Sequence, residues 1–415
     1  MLNCPYPLPA LRAVALHAQR LTAPNGAESP PTLDALDEVV ELLSCIQIDT
    51  LHLVARSQYL VMWSRLGTYD PADFDRLLFE PGRRRLFEYW GHAASIIPLD
   101  AYRYHVPYMQ HFEMSPGRWW ERWLTAEANR EIVHLVLERI RAEGALRAAD
   151  FQHDGPKRGS WWDWKPAKFA LEYLFATGVL MVSNRVNFQR VYDLRERVLP
   201  AWVDQVGVTK DDAKRHSLEQ GVKALGVCRL AQAAEYAYMR RGDARPYLEV
   251  LVREGVIVEV EGTLHDGSTA TLVVHRDHLP LLDQAADGII RPARTTFLSP
   301  FDSLFWARGR DEDLWGFQQV LEAYKREPDR RWGYFCLPIL HHDRLVGRFD
   351  PKLERKNGLL RLRALYLEPG IEPDETLVAD VAAALRDFLR FHKAGEVVIE
   401  RSDPPEFGER LARAL

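Results

Sequence analysis

The stretch Cys45-Ile46-Gln47-Ile48-Asp49-Thr50, continued by LHLVARSQYLVMWSR at 51–65, alternates apolar and polar side chains before a longer apolar run. Alternation of period two marks an extended segment, with Ile46 and Ile48 facing one way and Gln47 and Asp49 the other. On a helix, residues two apart point roughly 200° from each other and cannot act on one atom. In a strand they share a face, about 7 Å apart along the chain. A carboxylate and an amide converging on one point can position and activate a water. A purely structural role fits the same residues: Asp49 or Thr50 capping a helix over 51–65, worth roughly 1 kcal/mol, and Gln47 as an exposed strand residue.

Working outward, residues 10–20 (ALRAVALHAQR) read as an amphipathic helix ended by Pro24-Asn25-Gly26. A second helix spans 32–44, with Leu33, Leu36, Val39, Val40 and Leu43 at helical spacing. Asp70-Pro71 opens a short helix, and the aromatic-rich segment 87–98 (FEYWGHAASIIP) has no helical period. Helix, strand, helix, helix and extended tail is the chain order of a winged helix-turn-helix. The order recurs. Helices at 126–140 and 164–176 precede a hairpin over 179–192, turning near 183–187. Helices at 211–225, 229–240 and 245–254 precede strands 256–260 and 269–275. From about Ile290 the texture changes to an antiparallel meander (332–340, 344–350, 359–366), an amphipathic helix over 375–393 and a closing strand over 397–399. The fold class expected is therefore α+β: about three tandem winged helix-turn-helix domains (1–115, 116–205, 206–289) and a C-terminal β-rich domain (290–415).

A chain of 415 residues with 47% apolar and 27% charged side chains is an ordinary globular one, too long for a single core. The four cysteines (4, 45, 228, 336) are scattered and read as reduced thiols of a cytoplasmic protein. The start MLNCPYPLPA has no signal-peptide pattern, and no apolar run is long enough to span a membrane. The net charge of -5 excludes a globally basic nucleic-acid binder, so any polyanion site must be local. Such local surfaces exist. Between Lys157 and Arg197 eight Lys/Arg stand against four Asp/Glu, with Lys157, Arg158, Lys165 and Lys168 ahead of the hairpin and Arg185 and Arg190 on it. Arg83-Arg84-Arg85 leads into the Trp90 stretch, and Lys352, Arg355, Lys356, Arg361 and Arg363 sit on or beside the late meander; Arg308-Gly309-Arg310 is a basic loop, not a phosphate cradle. Each cluster alone fits a solvated face; three separate patches on three candidate DNA-reading units fit phosphate neutralisation along a duplex. No Walker, Rossmann or nucleophile-elbow motif is present, so no cofactor is expected. His341-His342-Asp343 is the one tight ligand cluster, and three adjacent residues in a turn cannot all face one ion, so no metal is expected.

Four stretches together resemble the bacterial winged-helix DNA glycosylases that remove alkylated purines and unhook interstrand crosslinks. They are Ile46–Thr50 with Val61-Met62-Trp63-Ser64-Arg65, then Glu88-Tyr89-Trp90-Gly91-His92-Ala93-Ala94-Ser95-Ile96-Ile97-Pro98. Next come Trp162-Asp163-Trp164-Lys165 through to Phe188–Leu194, and Leu298-Ser299-Pro300-Phe301-Asp302 with Trp306, Arg308 and Leu345-Val346-Gly347-Arg348. The resemblance runs through nearly the whole chain in order. It implies tandem winged helices and a β-rich domain wrapped around DNA, with Gln47-Ile48-Asp49 matching the family's catalytic Gln-apolar-Asp. It implies that Asp49 stabilises an oxocarbenium ion and activates a water held by Gln47, in a cofactor-free, monofunctional, monomeric enzyme acting on alkylated or crosslinked duplex DNA. Trp90, His92 and Ser95 fall in a matching neighbourhood as candidate active-site or DNA-lining residues; packing is the blander role for them, and the Trp90 stretch reads as core. A non-catalytic winged-helix regulator, dimeric on a palindromic site, is the alternative.

Overall fold

The computed structural model describes residues 4–25, 29–151 and 165–415, and the side chain of Lys165 lies outside the described set. Three small sheets share one strand order, in which a two-residue strand lies along the second strand of a hairpin. The short strands are Ile46–Gln47, Leu146–Arg147 and Val227–Cys228. Their hairpins are Leu86–Gly91 with Ala93–Pro98, Leu180–Val186 with Gln189–Leu194, and Ile257–Thr263 with Thr269–His275. The aromatic-rich segment is thus a hairpin rather than a single extended tail. The second hairpin turns later than expected, at Asn187 and Phe188, both at positive φ (49° and 67°), as a tight two-residue turn requires.

The chain divides into two compact units, residues 1–71, 91–95 and 217–415, and residues 72–90 and 96–216. The first unit is built around the helix Leu8–His17, whose residues Ala10–Leu16 are all buried, so it is a core element rather than an amphipathic surface helix. Leu11, Val14 and Leu16 pack with Val227, Leu272, Leu282, Leu298, Leu314 and Leu340. Gly226 (φ +73°) passes so close that a Cβ there would lie 2.7 Å from the Val14 carbonyl oxygen, which only glycine permits.

The late sheet runs Thr295–Phe297, Leu337–His341, Arg344–Glu354 and Leu359–Leu367, all antiparallel. Glu396–Ile399 then pairs in parallel after the helix Glu375–His392. The strand expected from Trp332 begins only at Leu337. Ahead of it the amides of Trp332 and Gly333 donate to Glu322, and those of Tyr334 and Phe335 to Asp350, so side chains replace the ladder. The chain does not close on the expected strand, because the helix Pro405–Ala414 follows. Among the described residues no helix is long and apolar enough to cross a membrane.

At the centre of the first unit the side chains of Arg65 and Asp302 are both fully buried. Arg65 Nη1 and Nη2 donate to Asp302 Oδ2 and Oδ1 at 2.6 and 2.8 Å. Its remaining donors reach the Gln19 backbone oxygen (3.1 Å), Gln19 Oε1 (2.8 Å) and Ser64 Oγ (2.8 Å). Removing one partner strands a buried charge, so Asp302→Ala is expected to cost about 3–5 kcal/mol, read as a lowered urea midpoint. A midpoint close to the parent's would show that the pair does not hold the unit.

In the second unit His105 sits against the edges of Phe87 and Tyr89, ring centroids 5.7 and 5.9 Å away. Burial, assisted by His216, pushes its pKa down from 6.5 to about 4. The folded unit therefore keeps His105 neutral where the unfolded chain is already protonated. This contribution to stability is complete above pH 6.5 and drains away between 6.5 and about 4. Melting temperature across that window should fall less steeply in His105→Gln than in the parent.

Candidate active site

The alternation at the opening stretch is visible in burial: Ile46 and Ile48 are 1% and 8% exposed, while Gln47 and Asp49 are half-buried. The strand stops at Gln47, and the Ile48 amide donates to the Ala94 oxygen at 2.8 Å. Asp49 is not a helix cap. Its Oδ1 accepts from the Leu51 amide at 2.7 Å, closing a local turn, and the helix begins only at Ser57. Residues 51–56 cannot be helical because their backbone is claimed elsewhere. The Leu353 amide donates to the Leu53 oxygen at 3.2 Å, and Arg355 Nη2 to the Val54 oxygen at 2.5 Å. Among the described residues, the Gln47 side-chain amide and Asp49 Oδ2 take no hydrogen-bond partner.

Beside this loop stands the hairpin tip 91–95. Ser95 is 0% exposed, and its hydroxyl donates to the His92 oxygen at 2.9 Å, so it locks the tip and offers no nucleophile. A Cβ on Gly91 would meet Ser95 Cβ at 3.3 Å and Cys45 Sγ at 3.4 Å, which shows how tightly tip and strand pack. The His92 ring stacks on Trp306 at 4.0 Å and 3°, meets Tyr238 edge-on at 5.1 Å, and places Nδ1 3.3 Å from the Tyr236 oxygen. Burial lowers its pKa, keeping the ring neutral. Trp306 is itself held by a bond from Nε1 to the Phe301 oxygen (3.0 Å), and Ser57 Oγ meets Ser299 Oγ at 2.9 Å. Three of the four stretches singled out in the sequence thus converge on one another. In the aromatic run Phe87 and Tyr89 are buried, but Trp90 is 52% exposed, so the core reading fails for it: its side chain lies on the outward face of its strand.

The loop carries a further partner that no motif announced. Arg355 Nη2 also lies 2.8 Å from His52 Nε2. With burial and the nearby Arg355 and Arg56 cations, His52 is held down to about 4 and so accepts as a neutral ring. Its only sequence signal is membership of a Lys/Arg cluster on the late meander. Arg355→Ala is expected to speed amide exchange over 50–55 at least about tenfold while leaving global stability nearly unchanged. Undiminished protection would mean that the loop holds itself.

The basic residues separate sharply. Lys157, Arg158 and the Lys165 side chain lie outside the described residues, as do Trp162, Asp163 and Trp164. Lys168 is exposed, with Nζ 3.9 Å from Glu172. Arg185 and Arg190 turn inward instead of toward a phosphate: Arg185 Nε and Nη2 bind the buried Glu88 at 2.5 and 2.7 Å, and Arg190 Nε lies 3.4 Å from the same carboxylate. Arg308 is exposed and lines a pocket with Arg229 and Arg241, balanced by Asp266, Glu312 and Asp313. Arg310 is 1% exposed, donates to the backbone oxygens of Val227 (3.0 Å) and Leu225, and is pushed down to about 10 by burial; it cannot touch DNA.

An amide and a carboxylate oxygen, both without a hydrogen-bond partner among the described residues, stand two residues apart at the end of a strand and on the loop that follows it, and form a candidate hydrolytic pair. The chain belongs to the AlkZ-like DNA glycosylase family, whose model matches residues 40–391. Its fold is similar to that of the Streptomyces sahachiroi DNA glycosylase AlkZ, with a TM-score of 0.62 over 96% of this chain and 100% of that one, at 14% identity. A DNA repair glycosylase acting on DNA is therefore the class established here, in agreement with the resemblance read from the four stretches.

Proposed function

We propose that this glycosylase hydrolyses the N-glycosidic bond of N7-alkylated purines in duplex DNA, with Asp49 and Gln47 as its catalytic pair. N7 alkylation makes the base a cationic leaving group, so no general acid is needed. As the bond between C1′ and the base nitrogen breaks, its electron pair leaves with the base and neutralises the N7 charge. Positive charge develops at C1′, where the Asp49 carboxylate stabilises it. Asp49 then takes a proton from the attacking water, whose oxygen bonds to C1′, and the Gln47 amide holds that water. The observation that carries this reading is the half-buried display, two residues apart, of an unpartnered amide at the end of a strand and a carboxylate oxygen on the following loop, which is fixed from two sides. Asp49 Oδ1 is tied to Leu51, which orients the carboxylate and leaves Oδ2 for chemistry.

With a water as nucleophile and no lysine assigned to attack C1′, the product is an abasic site and the enzyme is monofunctional. The three small sheets of shared strand order support three winged-helix domains over 1–115, 116–205 and 206–289, and the late sheet a β-rich domain over 290–415. A monomer on cytoplasmic DNA, unhooking interstrand crosslinks as well as releasing single adducts, completes the proposal. For DNA contacts the exposed Trp90, Lys168 and Arg308 stand, together with Lys157, Arg158 and Lys165; Arg185, Arg190 and Arg310 are withdrawn by their burial and pairing. His92 and Ser95 shape the tip beside the pair. Family membership leaves the regulator alternative without support.

Asp49→Asn should bind an N7-methylguanine duplex as the parent does while base release, assayed as alkali-labile strand breaks, drops about 100-fold or more. Parent-like release by that variant would sink the assignment.

A further inference from the structure

His341 and His342 are consecutive at the turn between Leu337–His341 and Arg344–Glu354, and neighbours in a strand ordinarily face opposite ways. Here the turn brings them together. His342 has φ 55°, and the two rings stack with centroids 4.0 Å apart and planes 25° from parallel. Both direct a nitrogen at Asp380, on the helix Glu375–His392: His342 Nε2 lies 3.3 Å and His341 Nδ1 3.7 Å from Oδ2. All three ligand atoms lie within 4.8 Å of one another, and among the described residues no other group of three such side chains gathers in this way. Asp343, which follows both in sequence, is not the third ligand of this group. Asp343 instead faces Arg12, at 3.4 Å, and the helix supplies the carboxylate.

We propose that His341, His342 and Asp380 form a zinc site that staples the turn at 341–344 to the helix 375–392. Two imidazoles and one carboxylate with an open fourth position suit a tetrahedral zinc, whereas magnesium and calcium favour all-oxygen cages. Bonds of about 2.0–2.1 Å place tetrahedral ligand atoms roughly 3.3 Å apart, so the two carboxylate separations already approach the required geometry. The third closes by a small swing of the His342 ring, which is 40% exposed. Asp380, 37% exposed, leaves room for a water as fourth ligand. Thr295 Oγ1 lies 2.9 Å from His341 Nδ1, so its hydroxyl must turn from the imidazole to that water when the ion binds. The site stands apart from the proposed glycosylase chemistry and does not depend on it.

The test titrates zinc chloride into the chelator-stripped full chain by calorimetry, with magnesium chloride as comparison. One zinc per chain is expected, with a rise in melting temperature and no response to magnesium. His342→Ala and Asp380→Ala remove partly exposed side chains, so both should fold by circular dichroism and bind zinc at least about tenfold more weakly. His111→Ala, at an exposed histidine on the helix Tyr102–Met114, should bind as the parent does. Absence of saturable binding below about 100 µM zinc, or parent-like binding by both ligand variants, overturns the proposal.

Discussion

The bidentate contact between Arg65 and Asp302 is the interaction on which the larger unit depends. Taking two charges out of water costs several kcal/mol each, and the attraction between them offsets that only when every donor and acceptor is satisfied. Here the guanidinium reaches Asp302, Gln19 and Ser64 together, so it joins the end of the first helix, the helix after the Asp49 loop and the segment after the first late strand. Asp302 also accepts from the Leu304 amide, which fixes the turn leading to Trp306. A hydrophobic pair of the same volume would fill the space but would not specify which three segments meet.

The candidate site is an outgrowth of that junction. Asp49 stands on a loop whose far end enters the Arg65 helix, and whose middle is held by the late sheet through Leu353 and Arg355. The His92 tip leans on Trp306, four residues beyond Asp302. A catalytic carboxylate on a loop needs this kind of support, because a misplacement of about 1 Å can forfeit much of the rate. The rigidity comes from segments distant in the chain, not from the loop's own hydrogen bonds.

Local patterns in the sequence carried the hairpins, most helices and the two-sided character of Gln47-Ile48-Asp49, because periodicity reports which face meets the core. What it could not report was direction within a charged cluster. Arg185 and Arg190 look like phosphate contacts until Glu88, some hundred residues earlier, is seen to take both of them. Arg65 and Arg348 both fall in stretches that resemble the family, and both are at most 2% exposed, bound to a carboxylate and to carbonyls. Those signatures therefore mark architecture as much as chemistry. Asp49 was ambiguous for a different reason: its turn and a helix cap use the same oxygen, and only the late sheet's claim on Leu53 and Val54 decides between them. Trp90 was misjudged because composition gives an aromatic run a core character that strand alternation then splits.

The buried pair also has a meaning in time. Its members are 237 residues apart, and the intervening chain includes the whole of the second unit. At about 5–20 residues per second, Arg65 leaves the ribosome roughly ten seconds to most of a minute before Asp302 exists. For most of that interval, until Val227 and then Leu272, Leu282 and Leu298 emerge, the helix Leu8–His17 has no core to enter. Residues 72–90 and 96–216, by contrast, make up a compact unit of their own whose last residue emerges well before Asp302. Synthesis of this protein thus completes the unit inserted in its sequence first and the unit that spans both ends of the chain last, and the nascent N-terminal helix is the segment a chaperone has reason to hold.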